Sequence, residues 1–117
     1  MRSVLVVEDD TAVGETIRAI LEDSSYRVDV VNVAETLPFG AEAALVITDL
    51  ESRCGYDSAA TIRQVREIRL RTNAPVLVLT AHGAAKSDGG LADEANAVMT
   101  KPFGIAELLA MVDRLAV

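Results

Sequence analysis

Tryptophan is absent from this chain of 117 residues, and cysteine and histidine occur once each. The lone Cys54 excludes an internal disulfide and any metal cluster built on cysteine, as expected of a reducing compartment. No apolar run approaches the roughly 18 residues that a membrane span needs. The start, Met1-Arg2-Ser3 ahead of a strand-like run, is too short for a signal peptide. Positive charge is in the minority, with eleven basic against eighteen acidic residues and a net charge of -7. That sign argues against nucleic acid or anionic lipid as a direct partner. Repeats, linkers and low-complexity tracts are missing as well. What remains is the composition of one domain over residues 1–117, half hydrophobic and a quarter charged, expected to be soluble and cytosolic.

Five short runs rich in β-branched residues recur: Ser3 to Val7, Arg27 to Val31, Ala44 to Thr48, Pro75 to Leu79 and Ala97 to Thr100. Each is separated from the next by a stretch of helical character, the alternation of βαβ units and a parallel sheet. Val4-Leu5-Val6-Val7, Leu45-Val46-Ile47 and Val76-Leu77-Val78-Leu79 are continuously apolar, which suits strands covered on both faces. Charge interrupts Arg27-Val28-Asp29-Val30-Val31, which therefore reads as an edge.

Val13, Ile17, Ile20 and Leu21 form an apolar stripe behind a capping Asp10 or Thr11, and Ile105, Leu108, Leu109, Val112 and Leu115 form another. Between Ala59 and Leu70 the apolar positions Ile62, Val65 and Ile68 alternate with Arg63, Arg66 and Arg69, a row expected to be a solvated face. The stretch from Asn32 to Gly40 is short and contains Pro38, so a helix there must be short or irregular. Gly83, Gly89 and Gly90 crowd the fourth helical segment, and interior glycine costs about 1 kcal/mol relative to alanine. That segment is expected to begin near Ser87 or beyond, and to be mobile.

In a doubly wound sheet, ligands bind beyond the carboxyl ends of the strands. The first strand runs into Glu8-Asp9-Asp10 and the third into Asp49, so several carboxylates converge at one edge. Carboxylates so close cannot all stay ionised unaided: either their pKa values rise or a cation sits among them. Oxygen ligands at a partly open site fit Mg²⁺, which keeps several waters and leaves room for a phosphate. The fourth strand delivers the hydroxyl of Thr80 and the fifth the cation of Lys101. Taken singly, Asp49 is a turn residue, Thr80 a cap and Lys101 a surface lysine. Together, in this strand order, they read as metal site, nucleophile, hydrogen-bond donor and charge clamp for phosphoryl transfer. Asp10 reads better as a helix cap, His82 as a solvated loop residue and Cys54 as incidental.

At this point the chain resembles the receiver domain of two-component response regulators. The likeness runs through Val4-Leu5-Val6-Val7-Glu8-Asp9-Asp10, Val46-Ile47-Thr48-Asp49-Leu50, Ala74-Pro75-Val76-Leu77-Val78-Leu79-Thr80-Ala81 and Thr100-Lys101-Pro102-Phe103, and covers the whole chain. It implies a flavodoxin-like (βα)5 fold of three layers, with a parallel five-stranded sheet in the order 2-1-3-4-5. It implies Asp49 as phosphoacceptor, and Mg²⁺ or Mn²⁺ held by Glu8, Asp9, Asp49 and the backbone carbonyl of Glu51. Lys101 would pair with the phosphoryl group, Thr80 would hydrogen-bond it, and the Lys101-Pro102 peptide would be cis. A histidine kinase or histidine phosphotransfer protein would be the donor, and the domain would be a monomer or weak homodimer. Met1 and the end after one last helix favour a stand-alone or N-terminal receiver.

The chain departs from the family's pattern in two places. Glu51-Ser52-Arg53-Cys54-Gly55-Tyr56-Asp57-Ser58 is about one residue longer than the usual loop and lacks its proline. Val98 stands where the family usually keeps an aromatic switch residue, three positions before the lysine. Stiff at χ1 and small, Val98 cannot toggle as an aromatic does, so the signal is expected in the Gly83 to Gly90 segment. The alternative function is a pseudo-receiver, an interaction domain that works without phosphorylation. A flavin site is disfavoured because Glu8-Asp9-Asp10 would repel the cofactor's phosphate. A dehalogenase-type phosphatase would want its nucleophilic Asp after the first strand with a second Asp two residues on, and Asp49-Leu50-Glu51 matches neither in place nor in composition, so an enzyme is not expected.

Overall fold

A computed structural model describes residues 2–49 and 55–116, apart from the side chain of Glu35. The strands are β1 (Ser3–Val7), β2 (Arg27–Val31), β3 (Leu45–Asp49), β4 (Val76–Thr80) and β5 (Ala97–Thr100). The helices are α1 (Thr11–Asp23), α2 (Ser58–Arg71), α3 (Gly89–Glu94) and α4 (Ile105–Leu115), with 3₁₀ turns at Ala34–Thr36 and Gly83–Ser87. All strand pairs are parallel, in the order β2-β1-β3-β4-β5. This is the flavodoxin-like order, and it places charged β2 at an edge.

Side chains alternate across the sheet and divide the core in two. Val4, Val6, Leu45, Ile47, Leu77 and Leu79 face α1 and α4, where they meet Ile17, Leu21, Leu108 and Val112. Leu5, Val7, Val46, Val76 and Val78 face the other way, against Val65 and Ile68 of α2 and Leu91 of α3. Helical cover on both faces is why the central strands carry no polar alternation.

Local signals account for the ends of the elements. The Asp10 carboxylate accepts from the backbone N–H groups of Ala12 and Val13 and caps α1. Asp57 caps α2 through the N–H of Ala60. A single 3₁₀ turn replaces the second helix, for which the short stretch before Pro38 has no room. α3 begins only at Gly89, within the late start expected of the glycine-rich segment. β3 and β4 each run one residue later than their apolar runs suggest. Pro75 has no N–H to give the ladder, and the pairing continues through Asp49 and Thr80.

The arginine row is more than a solvated face. Arg63 is exposed. The Arg66 Nε donates to Glu94 Oε1 at 2.9 Å, and the Arg69 guanidinium donates to the Glu94 carbonyl, so two members hold the end of α3.

Candidate functional site

In-register parallel pairing brings the carboxyl ends of β1, β3, β4 and β5 to one edge of the sheet. Glu8 follows β1 directly, and its N–H donates to the Val31 carbonyl of β2 at 2.9 Å. Gly14 lets α1 close over it: a Cβ there would lie 2.9 Å from Val30 Cγ1 and 3.8 Å from Glu8 Cβ. The Glu8 side chain is consequently buried. Its Oε1 accepts from the Asp10 N–H at 2.9 Å, whereas its Oε2 is buried with no hydrogen-bond partner. Asp9 and Asp10 are exposed.

Asp49 is the last residue of β3 and is 5% exposed. Lys101 reaches it from just beyond β5, donating from Nζ to Asp49 Oδ2. The backbone of the same lysine is tied to β4, its N–H donating to the Thr80 carbonyl at 2.7 Å. Thr80 is buried, and its Oγ1 accepts from the His82 N–H at 3.1 Å. Accepting that bond occupies a lone pair and leaves the hydroxyl hydrogen to donate. The Lys101-Pro102 peptide is cis.

The electrostatics centre on Glu8. Burial is the main reason its pKa is pushed up to about 8; the adjoining Asp49 and, more weakly, Asp9 push the same way, against the opposing Asp10 N–H. An unpartnered buried carboxylate oxygen beside a second buried carboxylate is where a cation would relieve both desolvation and repulsion. Among the described residues no three His, Cys, Asp or Glu side chains enclose an ion by themselves. An oxygen-only donor set with Asp9 on its solvent side fits Mg²⁺, which keeps much of its water, and does not fit a closed structural metal cage. Glu51 and Cys54 lie outside the described residues.

The sequence reading missed one cluster beside this edge. The Tyr56 hydroxyl donates to Asp88 Oδ2 at 2.7 Å, and the Ser58 hydroxyl donates to the same oxygen. Asp88 Oδ1 accepts from the N–H groups of Gly90 at 3.1 Å and Leu91 at 3.3 Å, capping α3. His82 is half-buried with its ring 6.3 Å from that of Tyr56, and is not a freely solvated loop residue. Asp88 ahead of Gly89-Gly90-Leu91 carries a legible cap signal. Nothing local announces its bond to a tyrosine thirty-two residues away.

A parallel five-stranded α/β domain with an acidic pair, a hydroxyl and a lysine at successive strand ends has the plan of a phosphate-handling signalling module. A family model described as the response regulator receiver domain matches residues 4–113, and the chain belongs to that family. It is 39% identical over 118 residues to the KDP operon transcriptional regulatory protein KdpE of Escherichia coli K12, covering 94% of this chain and 49% of that protein. It is 33% identical to the regulatory protein VanRB of Enterococcus faecalis, covering 96% and 51%. The chain thus spans about half the length of the curated relatives it matches. Among solved structures, the non-phosphorylated HemR receiver domain of Leptospira biflexa superposes with a TM-score of 0.73 at 30% identity, over 99% of this chain and 94% of that one. The response regulator TrrA of Thermotoga maritima, solved in complex with Mg²⁺–BeF, gives 0.77 at 26% identity, over 98% and 99%.

Proposed function

We propose that Asp49 is the phosphoacceptor of this receiver and that Glu8, Asp9, Thr80 and Lys101 serve its phosphorylation. The observation that carries this reading is the buried Asp49 carboxylate, set between the unpartnered Glu8 oxygen and the Lys101 ammonium. In the proposed step an Asp49 carboxylate oxygen bonds to phosphorus while the phosphorus–nitrogen bond of a phosphohistidine donor breaks, and the departing imidazole takes up a proton. The donor is a histidine kinase or a histidine phosphotransfer protein.

Glu8, Asp9 and Asp49, with the carbonyl of Glu51, are the groups that would hold Mg²⁺. Bound there, the ion would neutralise the carboxylates against the incoming phosphoryl oxygens. The Mg²⁺–BeF complex of TrrA supports the same chemistry here. Lys101 supplies a point positive charge for a phosphoryl oxygen, and Thr80 a hydrogen bond from the hydroxyl hydrogen left over by its contact with His82. Phosphorylation exchanges the Lys101–Asp49 ion pair for contacts to the phosphoryl group, and this rearrangement is the origin of the signal.

Incubation with acetyl phosphate and Mg²⁺, followed by intact mass, tests the assignment. One hydroxylamine-labile phosphoryl group is expected, absent in Asp49→Asn and in chelator. Full labelling of Asp49→Asn overturns the assignment. No labelling and no beryllofluoride binding in the wild type would instead establish the pseudo-receiver reading.

A further inference from the structure

α3 is held to α2 at both of its ends. At the far end Glu94 receives Arg66 through its carboxylate and Arg69 through its carbonyl. At the near end Asp88 gives one oxygen to the α3 cap and the other to Tyr56 and Ser58, the residues on either side of the α2 cap. The two helices approach closely between these anchors, since a Cβ on Gly90 would lie 3.1 Å from Ile62 Cδ1.

Tyr56 meets both the turn after β4 and the α3 cap through its side chain. It follows Asp49 by seven positions in sequence. Its ring lies against His82, whose N–H is bound to Thr80, while its hydroxyl is bound to the α3 cap. Val98, with a half-buried branched side chain, has no comparable polar reach.

We propose that Tyr56 is a positioning residue that couples the phosphorylation site to α3 through its hydrogen bond to Asp88, in place of an aromatic at position 98. This rests on the reading of Asp49 as phosphoacceptor. A displacement of the Thr80–His82 turn moves the tyrosine ring. The hydroxyl carries that displacement to the carboxylate that caps α3. Ser58 donates to the same oxygen from the first residue of α2, so that carboxylate also ties α3 to α2. Burial and the neighbouring Asp88 carboxylate raise the Tyr56 pKa to about 12, so its hydroxyl remains a donor throughout the physiological range.

Hydrogen exchange of wild type and Tyr56→Phe, each with and without Mg²⁺ and beryllofluoride, tests the coupling. Phe keeps the ring and removes only the donor. Without beryllofluoride, the variant is expected to exchange the Gly90 and Leu91 amides at least roughly tenfold faster, the loss of one hydrogen bond to a charged acceptor. With it, the change in exchange across Gly83–Glu94 seen in the wild type is expected to be lost, while labelling of Asp49 by acetyl phosphate stays intact. In wild type, the ¹³Cζ resonance of Tyr56 should move on beryllofluoride binding; Tyr26, at the opposite end of the sheet, should not. An unchanged basal exchange in Tyr56→Phe, or a full beryllofluoride response in that variant, overturns the coupling. Should the wild type fail to bind beryllofluoride, the reading of Asp49 falls, and the coupling falls with it for want of an input.

Discussion

At the scale of single residues, the candidate site holds an electrostatic imbalance centred on Glu8. Glu8 holds its proton up to a pH of about 8 when folded, whereas an unfolded glutamate releases it near 4.5. Between those values the folded state binds more protons than the unfolded state, so stability is greatest at low pH and falls as pH rises toward 8. In chelator, the stability of the wild type should drop with a slope approaching about 1 kcal/mol per pH unit across this window. Glu8→Gln, which cannot ionise, should lose that part of the slope and be the more stable protein at pH 8. Urea denaturation of the two proteins at pH 5 and pH 8 measures the difference, and parallel profiles would refute the assignment of the buried charge to Glu8. A group that weakens the fold at neutral pH and leaves an oxygen unpartnered is costly as structure, and such costs gather at functional sites.

At the scale of elements, the reading succeeded where one local rule dominates. Continuous apolar runs fixed the central strands, an interrupting Asp29 marked the edge strand, and Asp10 announced the start of α1. Asp10→Ala should therefore destabilise the protein by about 1 kcal/mol, the usual worth of a helix cap. Asp9→Ala, exposed and outside the cap, should cost little stability and instead weaken Mg²⁺ binding, as thermal unfolding and calorimetric titration would show. The reading failed where residues distant in sequence meet. Arg66 and Arg69 have the spacing of a solvent-facing helix row, and only the packing of α3 beside α2 shows that they hold Glu94. Tyr56 and Asp88 lie on separate connections, and their bond is invisible to any pattern of period 2 or 3.6. The metal-binding and phosphoryl-binding candidates were legible because strand order alone brings Glu8, Asp49, Thr80 and Lys101 to one edge. The β4 ladder extends through Thr80, so that hydroxyl rides on a hydrogen-bonded strand end and not on a loop.

At the scale of the whole molecule, the sheet separates two cores that share no side chain among the described residues. Leu108 of α4 belongs to the core on one face and Ile68 of α2 to the core on the other, and neither is exposed to solvent. Truncating either to alanine removes a buried aliphatic group from a packed layer and should cost about 2–5 kcal/mol. Because a β-sheet intervenes, the two costs should add within about 0.5 kcal/mol in the double variant, as expected of sites without shared partners. Urea denaturation of wild type, both single variants and the double variant closes this cycle. Strict additivity would mean that packing does not carry a signal from one face of the sheet to the other. The polar contacts at the carboxyl edge, where Lys101 bridges to Asp49 and Tyr56 to Asp88, would then be the route by which phosphorylation reaches α3. A coupling energy well above that margin would place the route in the core instead, and would leave the hydrogen bonds at the edge as anchors only.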